Sequence, residues 1–142
     1  MLAVLALAGF VYWSFFGGPA PRERSAQEGA ALHSVEAIVR AQEKYKEQYG
    51  TYADRLHKLG PPLIEGAAPD REAATLIPRD LAYGSDRLGY KFALRGYGDT
   101  YEVSANPIGK GAAPRAWFYA DQSGKIRESL TGQATPASPE VQ

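Results

Sequence analysis

The side chains able to do chemistry in this 142-residue chain are few and scattered. Two histidines, His33 and His57, belong to no ligand-spaced pair. There is no Gly-x-Ser-x-Gly nucleophile turn, no Walker loop and no His-Glu-x-x-His zinc helix. With no cysteine, disulfides, thiol nucleophiles and cysteine metal sites are excluded. Asp54, Asp80, Asp86, Asp99 and Asp121 fall at turn positions, where an aspartate ordinarily bonds its own backbone. Asp99 and Asp121 are the two that offer oxygens to a calcium ion, but neither lies in a dense run of Asp or Asn. The expectation is a non-catalytic protein without a cofactor.

Sixteen basic and sixteen acidic residues leave a formal net charge of zero. No overall field draws the chain to a polyanion. Lys91, Arg95, Lys110, Arg115, Lys125 and Arg127 give the second half a basic lean, which Asp99, Glu102, Asp121 and Glu128 offset. A solvated surface is the better reading, and no nucleic-acid partner is expected.

The elements that must position these residues begin with an uncharged apolar run over 2–16. A helix over 1–17 reads as a short membrane anchor, with Leu2, Val4, Leu5, Leu7, Gly9, Phe10, Val11 and Phe15 as its lipid-facing or assembly residues. Tyr12 and Trp13 suit a membrane interface. Residues 18–24 form a flexible break, and Gly17, Gly18, Pro19 and Pro21 are the hinge residues, because glycine and proline both oppose a continuous helix. Arg22 and Arg24 follow the run and by the positive-inside rule favour the cytoplasm, against an outward-facing domain.

A second helix is expected over 25–49. Ser25 and Glu28 have capping-box spacing, and Gly50 suits a left-handed end. Ala31, Leu32, Val35, Ile38, Val39, Ala41, Tyr45 and Tyr49 recur at helical spacing, opposite a charged face of Glu36, Arg40, Glu43, Lys44 and Glu47. A long connection over 50–87 holds a turn at Leu56 and Leu59 and one helical turn near Glu72 to Leu76. Over 88–130 the period changes to two. Tyr90, Phe92 and Leu94 share one strand face and Tyr101, Val103 and Ala105 another. A third strand spans Arg115 to Ala120, and a hairpin at Asp121 to Gly124 leads to a fourth, Lys125 to Leu130. Of the aromatic residues Tyr83, Tyr97, Trp117 and Tyr119, only Tyr97, at a turn, is expected to face solvent. Residues 131–142 have no periodicity and read as a disordered tail.

Taken in order, three stretches resemble the type IV pilin-like proteins, in particular the short major pseudopilins of type II secretion. They are Glu28 to Ile38 running through Ala41-Gln42-Glu43-Lys44-Tyr45 to Tyr49-Gly50-Thr51-Tyr52; Gly89-Tyr90-Lys91-Phe92 with Tyr101 to Pro107; and Trp117 to Arg127. The resemblance covers about residues 1–130. It implies an α+β fold: a long N-terminal helix, membrane segment plus stalk, packed on a small antiparallel meander of three or four strands. It also implies a structural subunit in the bacterial inner membrane. That subunit would cross once, with its C-terminal domain periplasmic or extracellular, at the cell surface once assembled. Its partners would be the lipid bilayer and other copies or related pilins, joined into a filament through the N-terminal helix. The family's aromatic mature residue and its Thr-Leu-Ile-Glu segment have no counterpart in this sequence, and Met1 falls several residues into the family's hydrophobic helix. The alternative is an anchored extracytoplasmic binding module of the same fold that does not polymerise.

Overall fold

Ser25 starts the longest element. Its hydroxyl accepts from the Glu28 N–H, and the Glu28 carboxylate accepts from the Ser25 N–H, so the expected capping box is formed. The helix that follows, α1, runs Ala26–Tyr49 and ends at Gly50, whose φ of 76° is a left-handed conformation that glycine adopts without strain. These details belong to a computed structural model, which describes residues 22–83, 89–109 and 115–142.

After α1 come a 3₁₀ turn at Leu56–Leu59, a five-residue helix α2 at Arg79–Tyr83, and strands β1 (Tyr90–Gly96), β2 (Tyr101–Pro107), β3 (Trp117–Asp121) and β4 (Ile126–Ser129). The strands form one antiparallel sheet in the order β1-β2-β3-β4. The fold is thus α+β, a helix packed on a four-stranded antiparallel sheet. The period-two pattern places Tyr90, Phe92, Leu94, Tyr101, Val103, Ala105, Phe118 and Ala120 on the inner face. Ala31, Val35, Ile38, Ala41 and Tyr45 of α1 cover that face, with Leu59, Ile77 and Leu81 closing one flank. Burying this apolar surface is the main favourable term.

Three expectations are corrected. First, the single-pass inner-membrane localisation is not supported: among the described residues, no helix is long and apolar enough to cross a membrane. α1 has the length, but Arg40, Glu43, Lys44 and Glu47 are exposed along it, and charges are costly in hydrocarbon. The expected anchor and hinge residues, Leu2 to Pro21, lie outside the described residues. Second, Glu72 to Leu76 is not helical. Asp70 and Ala73 close a tight turn, and 74–77 then runs along 58–60 through backbone bonds such as Leu76 N–H to Leu59 C=O at 2.7 Å. Helix forms later, after Pro78, which suits a helix start.

Third, residues 131–142 are not a disordered tail. The segment turns back beside β4, where Glu128 N–H bonds Pro139 C=O at 2.9 Å and Val141 N–H bonds Ile126 C=O at 2.8 Å. Ala134 is buried and Val141 packs against the core. A polar, proline-containing composition carries no sign of these pairings, because the bonds use the backbone and the open edge of β4.

Candidate functional site

Helical periodicity carries the buried stripe of α1 back to position 28, so the capping glutamate lies on the inner face. Glu28 is 1% exposed. Besides Ser25 N–H, its carboxylate accepts from the N–H of Ala116, one residue before β3, at 3.0 Å, and from the Arg22 guanidinium at 3.0 and 3.3 Å. Burial pushes this carboxyl up. The bonds from Arg22, Ala116 and Ser25, with the charge of Arg22, outweigh that and hold it below the ordinary 4.5. Beside it, Arg24 pairs with Glu128 of β4 at 3.0 Å. The lead-in to α1 is therefore tied to β4 through Arg24 and to α1 through Arg22, while Glu28 ties α1 to the backbone just before β3. Next to it lies an open hollow of about 260 Å³, lined by Arg22, Arg24, Glu128, Pro139, Glu140 and Gln142. Arg24 Nε and Glu128 Oε2 are buried there and have no hydrogen-bond partner among the described residues. This junction holds the described lead-in, residues 22–25, against α1 and β4. Its carboxylate is kept ionised at neutral pH.

The far end of α1 is fastened differently. Gln42 is fully buried, and its amide bonds the Ala53 backbone both ways, Nε2 to C=O and N–H to Oε1, each at 2.9 Å. Tyr45 donates to Arg71 C=O at 2.6 Å. The 52–54 segment held in this way runs beside the β1–β2 turn, with Tyr52 N–H on Gly98 C=O and Gly96 N–H on Asp54 C=O.

The structure separates the residues that the sequence offers for chemistry. His33 bonds Glu36 one turn along α1, while the His57 ring stacks on Tyr83 with centroids 6.4 Å apart. Asp99 sits in the β1–β2 turn, 3.7 Å from the Lys46 ammonium. Asp121 ends β3, where it accepts from Ser123 N–H and Oγ and from Tyr119 OH. Among the described residues, no group of three or more His, Asp or Glu is placed to hold a metal ion. Tyr97 is exposed as expected, but so is Tyr83. Trp117 is half-buried, and Tyr119 is buried on the outer face of the sheet, where burial pushes its phenol up to about 12. Those four aromatics form no single patch.

Two features escaped the sequence. The bond of Glu28 to Ala116 and the role of Gln42 are not visible there, because helical periodicity counts apolar residues and both are polar residues on the buried face. The second feature is an apolar loop. Leu63 and Ile64 are 76% and 77% exposed, over an open hollow of about 390 Å³ that reaches His57, Ala73 and Tyr83. The loop is braced by Arg79 on Pro62 C=O and Tyr83 OH on Pro61 C=O. The run Pro-Pro-Leu-Ile at 61–64, an apolar pair after two prolines, was the available signal.

No protein-family model matches the chain, and neither a curated protein nor a solved structure matches it.

Proposed function

We propose that this chain is a non-catalytic structural subunit with a pilin-like fold, which assembles with further copies or with related subunits. The observation that supports this reading most is the junction at the start of α1. A long amphipathic helix lies along an antiparallel meander, and the Arg22–Glu28 and Arg24–Glu128 pairs tie residues 22–25, which follow the apolar run in the sequence, to the domain. That uncharged run, 2–16, gains by packing against like segments away from water. In this reading the contacts between subunits begin in that run and continue along the exposed face of α1, and the sheet is displayed outward. The test is negative-stain electron microscopy with cross-link mapping on protein taken from its own cells. Filaments or hetero-assemblies with cross-links in residues 1–21 and α1 support the reading. A monomer in native extracts contradicts it.

A second reading, a binding module of the same fold that does not polymerise, is favoured by the exposed Leu63 and Ile64. Two large aliphatic side chains on a braced loop mark a contact surface. In that case Leu63→Ser/Ile64→Ser abolishes partner capture and leaves subunit association unchanged.

A further inference from the structure

The two edges of the sheet are unequal. The β4 edge is covered by the returning 138–141 segment. β1 is the other edge. The bonds Tyr97 N–H to Thr100 C=O and Ile108 N–H to Gly89 C=O set the alternation of the β1–β2 ladder. With the register of that pair, Lys91, Ala93 and Arg95 turn their backbone groups to β2, while Phe92, Leu94 and Gly96 turn theirs outward. Gly96 N–H is taken by Asp54 C=O. The N–H and C=O groups of Phe92 and Leu94 bond no described residue.

This stretch borders a cleft of about 350 Å³ between β1 and the wall formed by the 3₁₀ turn and α2, where Leu56, His57, Tyr83, Phe92 and Leu94 meet. The cleft is apolar inside and basic at its margins. Arg55 lines it, and none of the described residues that line it is acidic. Lys91 and Arg95 stand exposed on the outer face of the strand, and neither has an acidic partner within 4 Å among the described residues.

We infer that the β1 edge is a docking site for an extended segment of another protein, which adds to the sheet as a strand beside Phe92 and Leu94. Backbone bonds would hold such a strand, and its alternate side chains would set specificity. Those on the inner side enter the apolar cleft. Those on the outer side lie beside Lys91 and Arg95, so the segment is acidic at every second position. A second copy of β1 fits poorly. Antiparallel pairing centred on Ala93 would set Lys91 opposite Arg95 of the other copy, and like charges directly opposite destabilise a strand pair. The inference stands whether or not the chain assembles into a filament.

The test uses the full chain with two short capped peptides, one alternating valine with glutamate and one alternating valine with lysine. Binding is read by titration, and amide exchange at each residue is read by NMR. The Val/Glu peptide is expected to bind saturably, to slow exchange at Phe92 and Leu94, and to bind about tenfold more tightly than Val/Lys. K91Q/R95Q, which adds no charge beside Glu102, is expected to lose the preference, and K91E/R95E to reverse it. Four results would overturn the inference. They are no saturation by about 1 mM peptide, equal binding of the two peptides, exchange at Phe92 and Leu94 unaffected by bound peptide, and protection there that grows with protein concentration in the absence of peptide. The last would make a second copy the occupant.

Discussion

The two ends of α1 solve one problem with different chemistry. At each end, a side chain buried on the helix's inner face reaches across to backbone outside the helix. At the N-terminal end it is a carboxylate: Glu28 takes the Ala116 and Ser25 N–H groups and also accepts from a guanidinium, Arg22, that is partly exposed to solvent. At the C-terminal end it is an amide: Gln42 satisfies both backbone groups of Ala53 with no charge at all. The neutral clasp closes a short loop within the domain. The charged one joins the helix start, the lead-in at 22–25 and the backbone beside the sheet. The comparison teaches that of these two buried anchors only Glu28 carries a charge, so it is the one that answers directly to pH and salt.

The largest effect is expected from breaking the neutral clasp. Gln42→Ala leaves two buried backbone groups unbonded and a void, costing about 3 kcal/mol. Urea denaturation should show this loss equally at pH 5 and pH 8. Crowding the same clasp should cost somewhat less. A Cβ on Gly96 would lie 2.2 Å from Ala53 O and 2.8 Å from Asp54 Cα, backbone that cannot swing aside. Gly96→Ala is therefore expected to lose about 2 kcal/mol by the same measurement.

The charged clasp should differ in kind. Glu28→Gln removes the partner of Arg22 and is expected to cost about 1–2 kcal/mol at pH 7. The sign of its pH dependence follows from a folded-state carboxyl held below 4.5. Its stabilisation is complete above 4.5 and is lost as pH falls through the lowered value. Stability measured from pH 6 down to pH 2.5 should therefore fall less steeply in Glu28→Gln than in the parent. The smallest effect belongs to Arg22→Ala. That side chain is 40% exposed, so solvent screens the pair, and about 0.5 kcal/mol is expected, shrinking in high salt. An Arg22→Ala loss as large as that of Gln42→Ala would erase the contrast between the ends.

Much of this arrangement is legible in the sequence, and the reasons for the rest are specific. The capping box of Ser25 and Glu28, the stop at Gly50 and the alternation of Tyr90 to Leu94 and Tyr101 to Ala105 are local rules with local causes, and the structure obeys them. The second duty of Glu28 is not local. Ala116 is 88 positions away, and nothing at position 28 names it. The turn at Asp70 to Ala73 displaced an expected helical turn because Asp70 bonds the N–H groups of Glu72 and Ala73, the competition that short polar side chains offer to helix. The docking edge at β1 has the same origin as the ordered tail. Which edge of a sheet is covered depends on strand order and on where 131–142 returns, and hydrophobic patterning records neither.

The central claim is that subunits meet through the segment before residue 22 and along the exposed face of α1. The chain has no cysteine, so single cysteines report contacts without background. Cysteines placed in turn at Glu23, His33, Arg40 and Glu47, all exposed, and at Lys91 on the sheet as a control, should be oxidised in protein taken from its own cells. Disulfide-linked dimers from Glu23 and the α1 positions and none from Lys91 are the predicted result. Cross-linking from Lys91 with none along α1, or no dimer from any position, would contradict it.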